Sequence, residues 1–262
     1  KNWALLNASP DIRQQINETP ELHPARDGAL RNSPIKAVVV TNADVDHITG
    51  LISLREGQPF SIYGSDRVMA TLNANSIFNV CAPDKVARIT LELDKPTPLS
   101  GGGADLGLSI EAFAVPGKIA LFLEKGDSST NFGSREGDTI GLKVTEEKTG
   151  KSFFYIPGVA EIDPPLAERI KGAELIFLDG TLFTDDEMVA QGLSQKTGAR
   201  MGHISVSGPD GSVAALKPLA IKRRIYVHIN NSNPILDENS EARKVVEAAG
   251  WEVGFDGMEV RL

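Results

Sequence analysis

One stretch decides the fold of this chain, and it reads Val38-Val39-Val40-Thr41-Asn42-Ala43-Asp44-Val45-Asp46-His47-Ile48-Thr49-Gly50. The apolar, β-branched run from Ile35 to Val40 predicts a buried strand. Polar residues follow at once, so we expect a loop there and a helix that starts behind it at Gly50. Asp46 and His47 stand together at the strand end, and both residue types bind divalent metals well. Taken alone, such a pair is more often a helix cap beside a surface histidine.

The residues from Asn42 to His47 resemble the His-x-His-x-Asp-His element with which the metallo-β-lactamase superfamily ends such a strand. The final Asp-His pair matches, whereas Asn42 and Asp44 replace the first two histidines. In that superfamily the first pair helps to hold one metal and the Asp-His pair holds the second. The resemblance implies a mixed α/β fold, the αββα sandwich of two mixed β-sheets with helices on the outer faces.

The composition fits one large domain over residues 1–262, because 262 residues of which 41% are hydrophobic can bury a sizeable core. The net charge of −8, without a basic run, argues against nucleic acid as a partner. No apolar stretch approaches the roughly 18 residues of a membrane span. The sequence therefore predicts a cytoplasmic chain that binds neither nucleic acid nor a membrane.

Two further features concern the ends and the thiol chemistry of the chain. The sequence opens at Lys1 without a methionine, from which we expect that an N-terminal segment is missing. Cys81 is the single cysteine, which excludes internal disulfides and a cysteine-based zinc site. A small buried or half-buried thiol is the expected role of Cys81.

Hydrophobic periodicity and turn residues place the secondary structure. Strands are predicted over 3–7, 35–40, 60–63, 88–93, 106–115, 140–144, 152–156, 174–179 and 225–228. The first predicted helix has Ser9 as cap and Pro10 as first residue and continues through Ile12 to Ile16. Further helices are predicted over 66–75, from Asp163 to Lys171, and from the cap Asn239-Ser240 to Ala249. Residues 99–103 predict a turn between strands, 125–138 a mobile loop or lid, and 252–262 a closing hairpin.

Ligand-type residues end apolar strands or open loops in four segments, which contain Asp46-His47, Asp179, His203 and His228. The chain has four histidines and three of them fall in these segments, so the sequence predicts a shared metal site. The alternative is that each residue is a cap or a satisfied strand end. His23 lies in a proline-rich loop and is expected to have no chemical role.

A wider set of segments resembles the coenzyme PQQ synthesis protein B family, which acts in the pyrroloquinoline quinone pathway. These segments are Asn7-Ala8-Ser9-Pro10-Asp11-Ile12-Arg13, Leu54-Arg55-Glu56-Gly57, Asp185-Asp186-Glu187-Met188, His228-Ile229-Asn230-Asn231, Asn233-Pro234-Ile235-Leu236-Asp237-Glu238-Asn239-Ser240 and Phe255-Asp256-Gly257-Met258. The match runs from residue 3 to the C-terminus and is loosest between 70 and 135. Family members carry an upstream cysteine-containing segment that this sequence lacks.

The residues that remain predict one metal ion and not two. The first histidine pair of the superfamily is absent, and Lys118 stands where a further histidine is expected, which disfavours a second ion. The predicted ligands are therefore Asp46, His47, Asp179 and His228. Two imidazoles with a carboxylate are the ligand set of non-haem Fe(II) oxygenases, although zinc accepts the same ligands.

The remaining candidates concern the substrate. His203 is expected to act as a catalytic acid or base that faces the substrate, because Gly202 places it on a loop. The predicted substrate-binding residues are Asn42, Asp44, Lys118 and Asn230. The sequence does not decide whether Asp46 or Asp179 is the principal carboxylate ligand.

The family resemblance implies an activity in pyrroloquinoline quinone biosynthesis. The first hypothesis is an iron-dependent hydroxylase with one metal, which acts with O2 on a tyrosine-derived, cross-linked Glu–Tyr intermediate. A carrier that binds the quinone or its precursor without catalysis is the second, and a metal-dependent hydrolase is the third. Other proteins of the pathway are expected partners, and a homodimer stays open.

Overall fold

The computed structural model describes residues 1–29, 31–124 and 135–262. Its backbone groups the chain into two compact units. Unit 1 comprises Lys1–Phe113, Ile119–Ile140 and Thr145–Gly150, and unit 2 comprises Ala114–Lys118, Gly141–Val144 and Lys151–Leu262. The expectation of a single domain over 1–262 stays a prediction.

Unit 1 begins with a parallel sheet. The elements of unit 1 are β1 (Trp3–Leu6), α1 (Ile12–Glu18), β2 (Ile35–Val39), α2 (Val45–Ile48), β3 (Phe60–Gly64), α3 (Asp66–Ala74), β4 (Val86–Thr90), β5 (Pro96–Gly101) and β6 (Ala104–Ala114), whose last residue belongs to unit 2. Strands β1 to β4 pair in sequence order and in parallel. Strand β2 is buried at Ala37, Val38 and Val39, as expected for a parallel strand that is covered on both faces.

The first helix starts later than predicted. Its first residue is Ile12, with Asp11 in the cap position, and Pro10 lies outside it. The Ser9 hydroxyl instead accepts a hydrogen bond from the Asp11 amide at 3.2 Å. Ser9 therefore stabilises the turn that leads into α1, a use of serine that competes with helix capping.

The chain after β2 forms a helix sooner than predicted. The short helix α2 starts at Val45, five residues before Gly50, and a 3-10 helix continues it over Thr49–Leu54. Gly50 serves close packing, because a Cβ atom there would lie 2.2 Å from the carbonyl oxygen of Ser9. Asp46 and His47 are thus helical residues directly after the strand.

Strand β5 was not predicted, because Pro96 and Pro98 within it make the segment look like a loop. It pairs antiparallel with β6 across the predicted turn. Gly102 and Gly103 both have positive φ, at 56° and 78°, which is the geometry of a type I′ hairpin turn.

Cys81 follows a 3-10 helix over Ser76–Val80 and is buried, as expected. Its thiol donates to the carbonyl oxygen of Leu51 at 3.2 Å. Burial raises the pKa of the Cys81 thiol, and the nearby Arg88 opposes this only in part. The thiol is therefore a packing group in the core of unit 1.

Unit 2 is built on parallel strands with helices between them. Strand β7 (Ile140–Glu146) is divided between the units, and unit 2 continues with β8 (Ser152–Ile156), α4 (Pro164–Ile170), β9 (Leu175–Asp179), α5 (Glu187–Ala190), α6 (Gly198–Met201), α7 (Ser212–Leu216), β10 (Arg223–Val227), α8 (Glu241–Ala248) and β11 (Glu252–Val253). Strands β8, β9, β10 and β11 lie side by side and pair in parallel, with β9 between β8 and β10. The predicted caps are confirmed, since Asp163 accepts from the Leu166 amide and Ser240 from the Arg243 amide.

The predicted closing hairpin over 252–262 is wrong. Strand β11 ends at Val253 and pairs in parallel with β10, and residues 254–262 form no strand. The Asp256-Gly257 pair does form a turn, but no second strand follows it. A turn dipeptide alone did not specify a hairpin because its flanks lack a second alternating run.

One other expectation meets the structure only in part. Of the predicted lid over 125–138, residues 125–134 lie outside the described residues. Asp138 accepts a hydrogen bond from the Arg67 side chain at 2.9 Å, and the Gly137 carbonyl oxygen accepts one from Ser65 at 2.6 Å.

In the described ranges, no helix combines the length and the apolar composition that crossing a bilayer requires.

Candidate functional site

Asp179 ends strand β9 with a fully buried carboxylate. One oxygen, Oδ2, accepts from the Val159 amide at 3.0 Å and lies 2.7 Å from Nδ1 of His203. The other, Oδ1, accepts from the amide and the hydroxyl of Thr181 at 3.0 and 2.6 Å. Burial by itself would raise the pKa of Asp179, but the charge of His203, the hydrogen bond from its ring and the nearby ring of His228 outweigh it, so the pKa lies well below its usual range.

His228 follows strand β10 in an unusual backbone conformation. Its φ of 55° lies in the left-handed region, which costs a non-glycine residue on the order of 1 kcal/mol. Its carbonyl oxygen lies 3.0 Å from the Thr181 hydroxyl oxygen, and Gly180 donates its amide to the Val227 carbonyl oxygen at 2.8 Å. The loop after β9 thus holds His228 in a strained conformation, a feature that clusters at functional sites.

His203 lies on a loop, as predicted, and its ring contacts the Asp179 carboxylate. Helix α6 ends at Gly202, whose φ of 82° gives the left-handed cap that glycine favours. The ring of His203 stacks on that of His228, with centroids 5.3 Å apart and an interplanar angle of 21°. A Cβ atom on Gly202 would lie 2.8 Å from Cγ of Lys118, so the Lys118 side chain packs next to this cap.

Thr181 joins these groups and was not predicted. Its hydroxyl oxygen lies 2.8 Å from Nδ1 of His228 and 3.1 Å from Nδ1 of His203, in addition to its contact with Asp179. A threonine two residues beyond a strand-end acid is a common turn residue, so its type gave no signal. The only available hint was its place between Asp179 and the next apolar residue.

Three residues of unit 2 form a donor set of the kind that binds a metal ion. One ligand atom each from Asp179, His203 and His228 lies within 4.8 Å of the others. Such separations suit a shared ion with bonds of about 2 Å, and imidazole with carboxylate suits both zinc and iron. The donor types and spacing therefore fit a divalent ion.

A second layer of contacts joins the loops that follow β9 and β10. Asn233, which is buried, donates to the Gly180 carbonyl oxygen at 2.7 Å and accepts from the Ile235 amide at 3.0 Å. The buried carboxylate of Glu187 accepts from the Phe183 amide at 2.6 Å and from the Ser232 hydroxyl at 2.9 Å. These bonds hold the two loops together, and we name them the loop clamp.

Asn230, a predicted substrate-binding residue, lies in this region. Its side-chain amide donates to the Ser232 hydroxyl at 3.1 Å and to the Met188 sulfur at 3.2 Å. Its backbone amide donates to the Thr181 carbonyl oxygen at 3.2 Å. The side chain of Asn230 thus supports the loop clamp, and its assignment to substrate stays a prediction.

Unit 1 places the other predicted residues around the start of α2. His47 is buried, and its Nδ1 lies 3.1 Å from Oδ1 of Asp46, whose side chain is half exposed. Asn42 accepts from the Asp44 amide at 2.9 Å, and Asp44 accepts from the Leu121 amide at 2.8 Å. Both residues thus shape the turn between β2 and α2.

Comparisons with known proteins bear on the family. The model of the beta-lactamase superfamily domain matches residues 2–229. Two relatives named coenzyme PQQ synthesis protein B, from Bradyrhizobium diazoefficiens and Rhodopseudomonas palustris strain TIE-1, are 48% and 50% identical over the whole of this chain and 84% of their own.

Solved structures agree with these relatives. The crystal structure of Zn²⁺-bound PqqB from Methylobacterium extorquens is 45% identical, with a TM-score of 0.91 over 100% of this chain and 84% of that one. A diphosphatase of the PhnP family, at 19% identity and a TM-score of 0.61 over 98% of this chain and 78% of that one, shares the fold. The predicted mixed α/β metallo-β-lactamase fold is confirmed. The chain belongs to the coenzyme PQQ synthesis protein B family, within the beta-lactamase superfamily.

Proposed function

We propose that this protein is a metal-dependent hydroxylase that acts in pyrroloquinoline quinone biosynthesis on a tyrosine-derived, cross-linked Glu–Tyr intermediate, with Fe(II) and O2. The family supports the pathway. The observation that carries the proposal is that the buried Asp179 carboxylate and the His228 ring offer one ligand atom each within 4.8 Å of one another, with the His203 ring stacked on that of His228. This mixed imidazole and carboxylate set is the donor type of non-haem Fe(II) oxygenases.

Metal binding has separate support. The M. extorquens relative was crystallised with Zn²⁺, and these donors also accept zinc. The sequence-based assignment of Asp46 and His47 as metal ligands, like that of Asp179 and His228, stays a prediction. A bound Fe(II) ion would supply the redox chemistry with O2 that no side chain of the chain can perform.

The residues of the chain have distinct roles in this proposal. Asp179 stays ionised because its lowered pKa keeps the negative charge that a cation requires. The Thr181 hydroxyl fixes the ring of His228 through Nδ1. His203, oriented by Asp179 at 2.7 Å, moves a proton to or from the substrate.

The direct test loads the purified protein with Fe(II) under anaerobic conditions and then admits O2 with a tyrosine-containing or dopa-like substrate analogue. The assay also contains a small-molecule two-electron reductant, because hydroxylation transfers one oxygen atom of O2 to the substrate and reduces the other to water. We expect O2 consumption and a product that is heavier by one oxygen atom in mass spectrometry. A carrier would bind the analogue without consuming O2. A hydrolase would convert its substrate anaerobically with zinc, and either result contradicts the proposal.

A matched variant separates the roles of His203 and the ligands. His203→Ala is expected to keep the metal and to lower turnover by roughly 10²-fold, the usual contribution of general acid–base catalysis. His228→Ala serves as the comparison and is expected to lose the metal with the fold kept. Metal analysis of both purified variants decides, because loss of the ion from His203→Ala would make His203 a ligand.

A further inference from the structure

We infer that the cavity beside His228 is the subsite for the aromatic ring of the substrate, an inference that rests on the proposed function. The cavity lies within unit 2 and has a volume of about 740 Å³. Small-molecule sites commonly have volumes of about 300–1,000 Å³ and mostly apolar walls. Its lining includes Phe177, Val227, Phe255, Met258 and Val260 together with His228.

The wall formed by the sheet is continuous with the candidate site. Phe177 stands two residues before Asp179 on β9, so both side chains leave the same face of the sheet. Val227 directly precedes His228 at the end of β10. A ligand in the cavity therefore lies against the strands whose tips carry the proposed metal ligand Asp179 and the ring of His228.

Neighbouring rings hold the Phe177 side chain in place. Phe153 meets it edge-to-face with centroids 5.6 Å apart, and Tyr155 meets it at 6.5 Å with a tilt of 59°. Edge-to-face contacts of this kind are favourable between aromatic rings. The wall is thus a fixed aromatic surface, suited to receive a further ring.

The segment after β11 supplies Phe255, Met258 and Val260 to the lining of the cavity. Gly254 donates its amide to the Tyr226 carbonyl oxygen at 2.8 Å, and Met258 donates to that of Phe255 at 3.0 Å, which closes a turn. Lys151 donates to the carbonyl oxygen of Leu262 at 2.7 Å and so fixes the last residue. Phe255 is 68% exposed, so a large apolar group is held at the cavity with much of its surface in water.

The lining also indicates the charge of the group that binds. Among the described residues that line the cavity, the ionisable side chains are His228 and Asp256. A carboxylate would be repelled by Asp256 and would find no guanidinium or ammonium group in this lining. The cavity therefore suits the uncharged ring of a tyrosine-derived substrate, and its carboxylates would lie outside.

The test measures binding without turnover. Calorimetry on the Zn²⁺-loaded protein compares L-glutamyl-L-tyrosine with L-glutamyl-L-alanine as probes. We expect Phe255→Ala to raise the Kd of the tyrosine probe by about tenfold and to leave that of the alanine probe unchanged. Val260→Trp should narrow the cavity and also weaken binding of the tyrosine probe. Leu193→Ala, which removes an exposed apolar side chain elsewhere in unit 2, is the control and should match the wild type.

Several results would overturn the inference. These are no measurable binding of the tyrosine probe to the wild type, an unchanged Kd in both cavity variants, or equal weakening of both probes. A change from dimer to monomer in Phe255→Ala would instead make this face a contact between copies. The failure of the proposed function would look different. The Fe(II) protein would then consume no O2, while Phe255→Ala would still raise the Kd of the tyrosine probe alone. In that case the cavity binds the aromatic ring but the protein is not a hydroxylase.

Discussion

The Thr181 hydroxyl is the smallest group in the candidate site, yet it contacts three of the predicted functional residues. A hydroxyl has one proton to donate and two lone pairs with which to accept. Because the ionised Asp179 only accepts, the proton of Thr181 suits that carboxylate, and the ring nitrogens of His203 and His228 can donate to its oxygen. In this arrangement Nδ1 is the protonated nitrogen of both rings.

We expect Thr181→Val to weaken metal binding by about 10–100-fold, because orienting contacts of this kind are worth that much in metal affinity. The valine has nearly the same shape but lacks the hydroxyl, so the fold should be kept. Thr181→Ser restores the hydroxyl and should recover most of the affinity. Metal titration followed by calorimetry measures the effect, and a valine variant with wild-type affinity would contradict it.

At this scale the sequence pointed to ionisable residues that the structure brings together, and it missed those that position them. Asp179 and His228 were singled out because acids and imidazoles at the ends of apolar strands are ligand types for a metal. Thr181 and Asn233 were missed because threonine and asparagine are ordinary turn residues. Their importance follows from contacts across loops, which the order of residues does not reveal.

Among the elements, the two loops after β9 and β10 act as one body through the loop clamp. Asn233 contributes both a donor and an acceptor to it while buried. A buried polar group left without its partner typically costs about 1–3 kcal/mol. The geometry of His228 therefore depends on residues that carry no chemistry of their own.

Asn233→Ala is expected to lower the free energy of unfolding by about 1–3 kcal/mol and the Tm by several degrees. The variant removes the side-chain donor to the Gly180 carbonyl oxygen and the side-chain acceptor of the Ile235 amide. Asn233→Asp keeps the acceptor for Ile235 and should be less harmful if the two bonds contribute separately. Thermal and urea unfolding measure both variants, and a wild-type Tm for Asn233→Ala would show that the clamp is dispensable.

The elements themselves were predictable where apolar periodicity was strong. The predictions over 35–40, 60–63 and 174–179 found β2, β3 and β9 to within a residue at each end. Strand β5 was not predicted because its prolines obscure the alternation of apolar residues. The hairpin over 252–262 was predicted from a turn that no strand follows. Short-range signals thus failed where pairing with a distant segment decides the outcome.

At the scale of the whole molecule, the ion pair of Arg223 and Glu252 makes the free energy of unfolding depend on pH. Arg223 donates from Nε and Nη2 to the two oxygens of Glu252, at 2.6 and 2.9 Å, and this hydrogen bonding lowers the pKa of Glu252 below its ordinary 4.5. The folded chain therefore favours the charged carboxylate. Its contribution is present above the unfolded pKa and is lost as the pH falls through the lowered pKa of the folded state.

We expect Glu252→Gln to lower the Tm at neutral pH and to have little effect once the pH lies below the lowered pKa of Glu252, where the wild type has lost the same contribution. Both side chains are more than a third exposed, so water screens the pair and the difference at neutral pH should be small, below about 1 kcal/mol. Calorimetric scans across this pH range test the sign, and a gap that widens in acid would refute it.

The burial of Cys81 has a practical consequence. Only a thiolate that solvent can reach is alkylated, and the folded core withholds both access and ionisation from this thiol. Since the sequence contains no other cysteine, every labelled molecule reports the same event. The rate at which a thiol reagent labels Cys81 in the native protein therefore measures how often the core around Leu51 opens. No engineered cysteine is needed for this measurement.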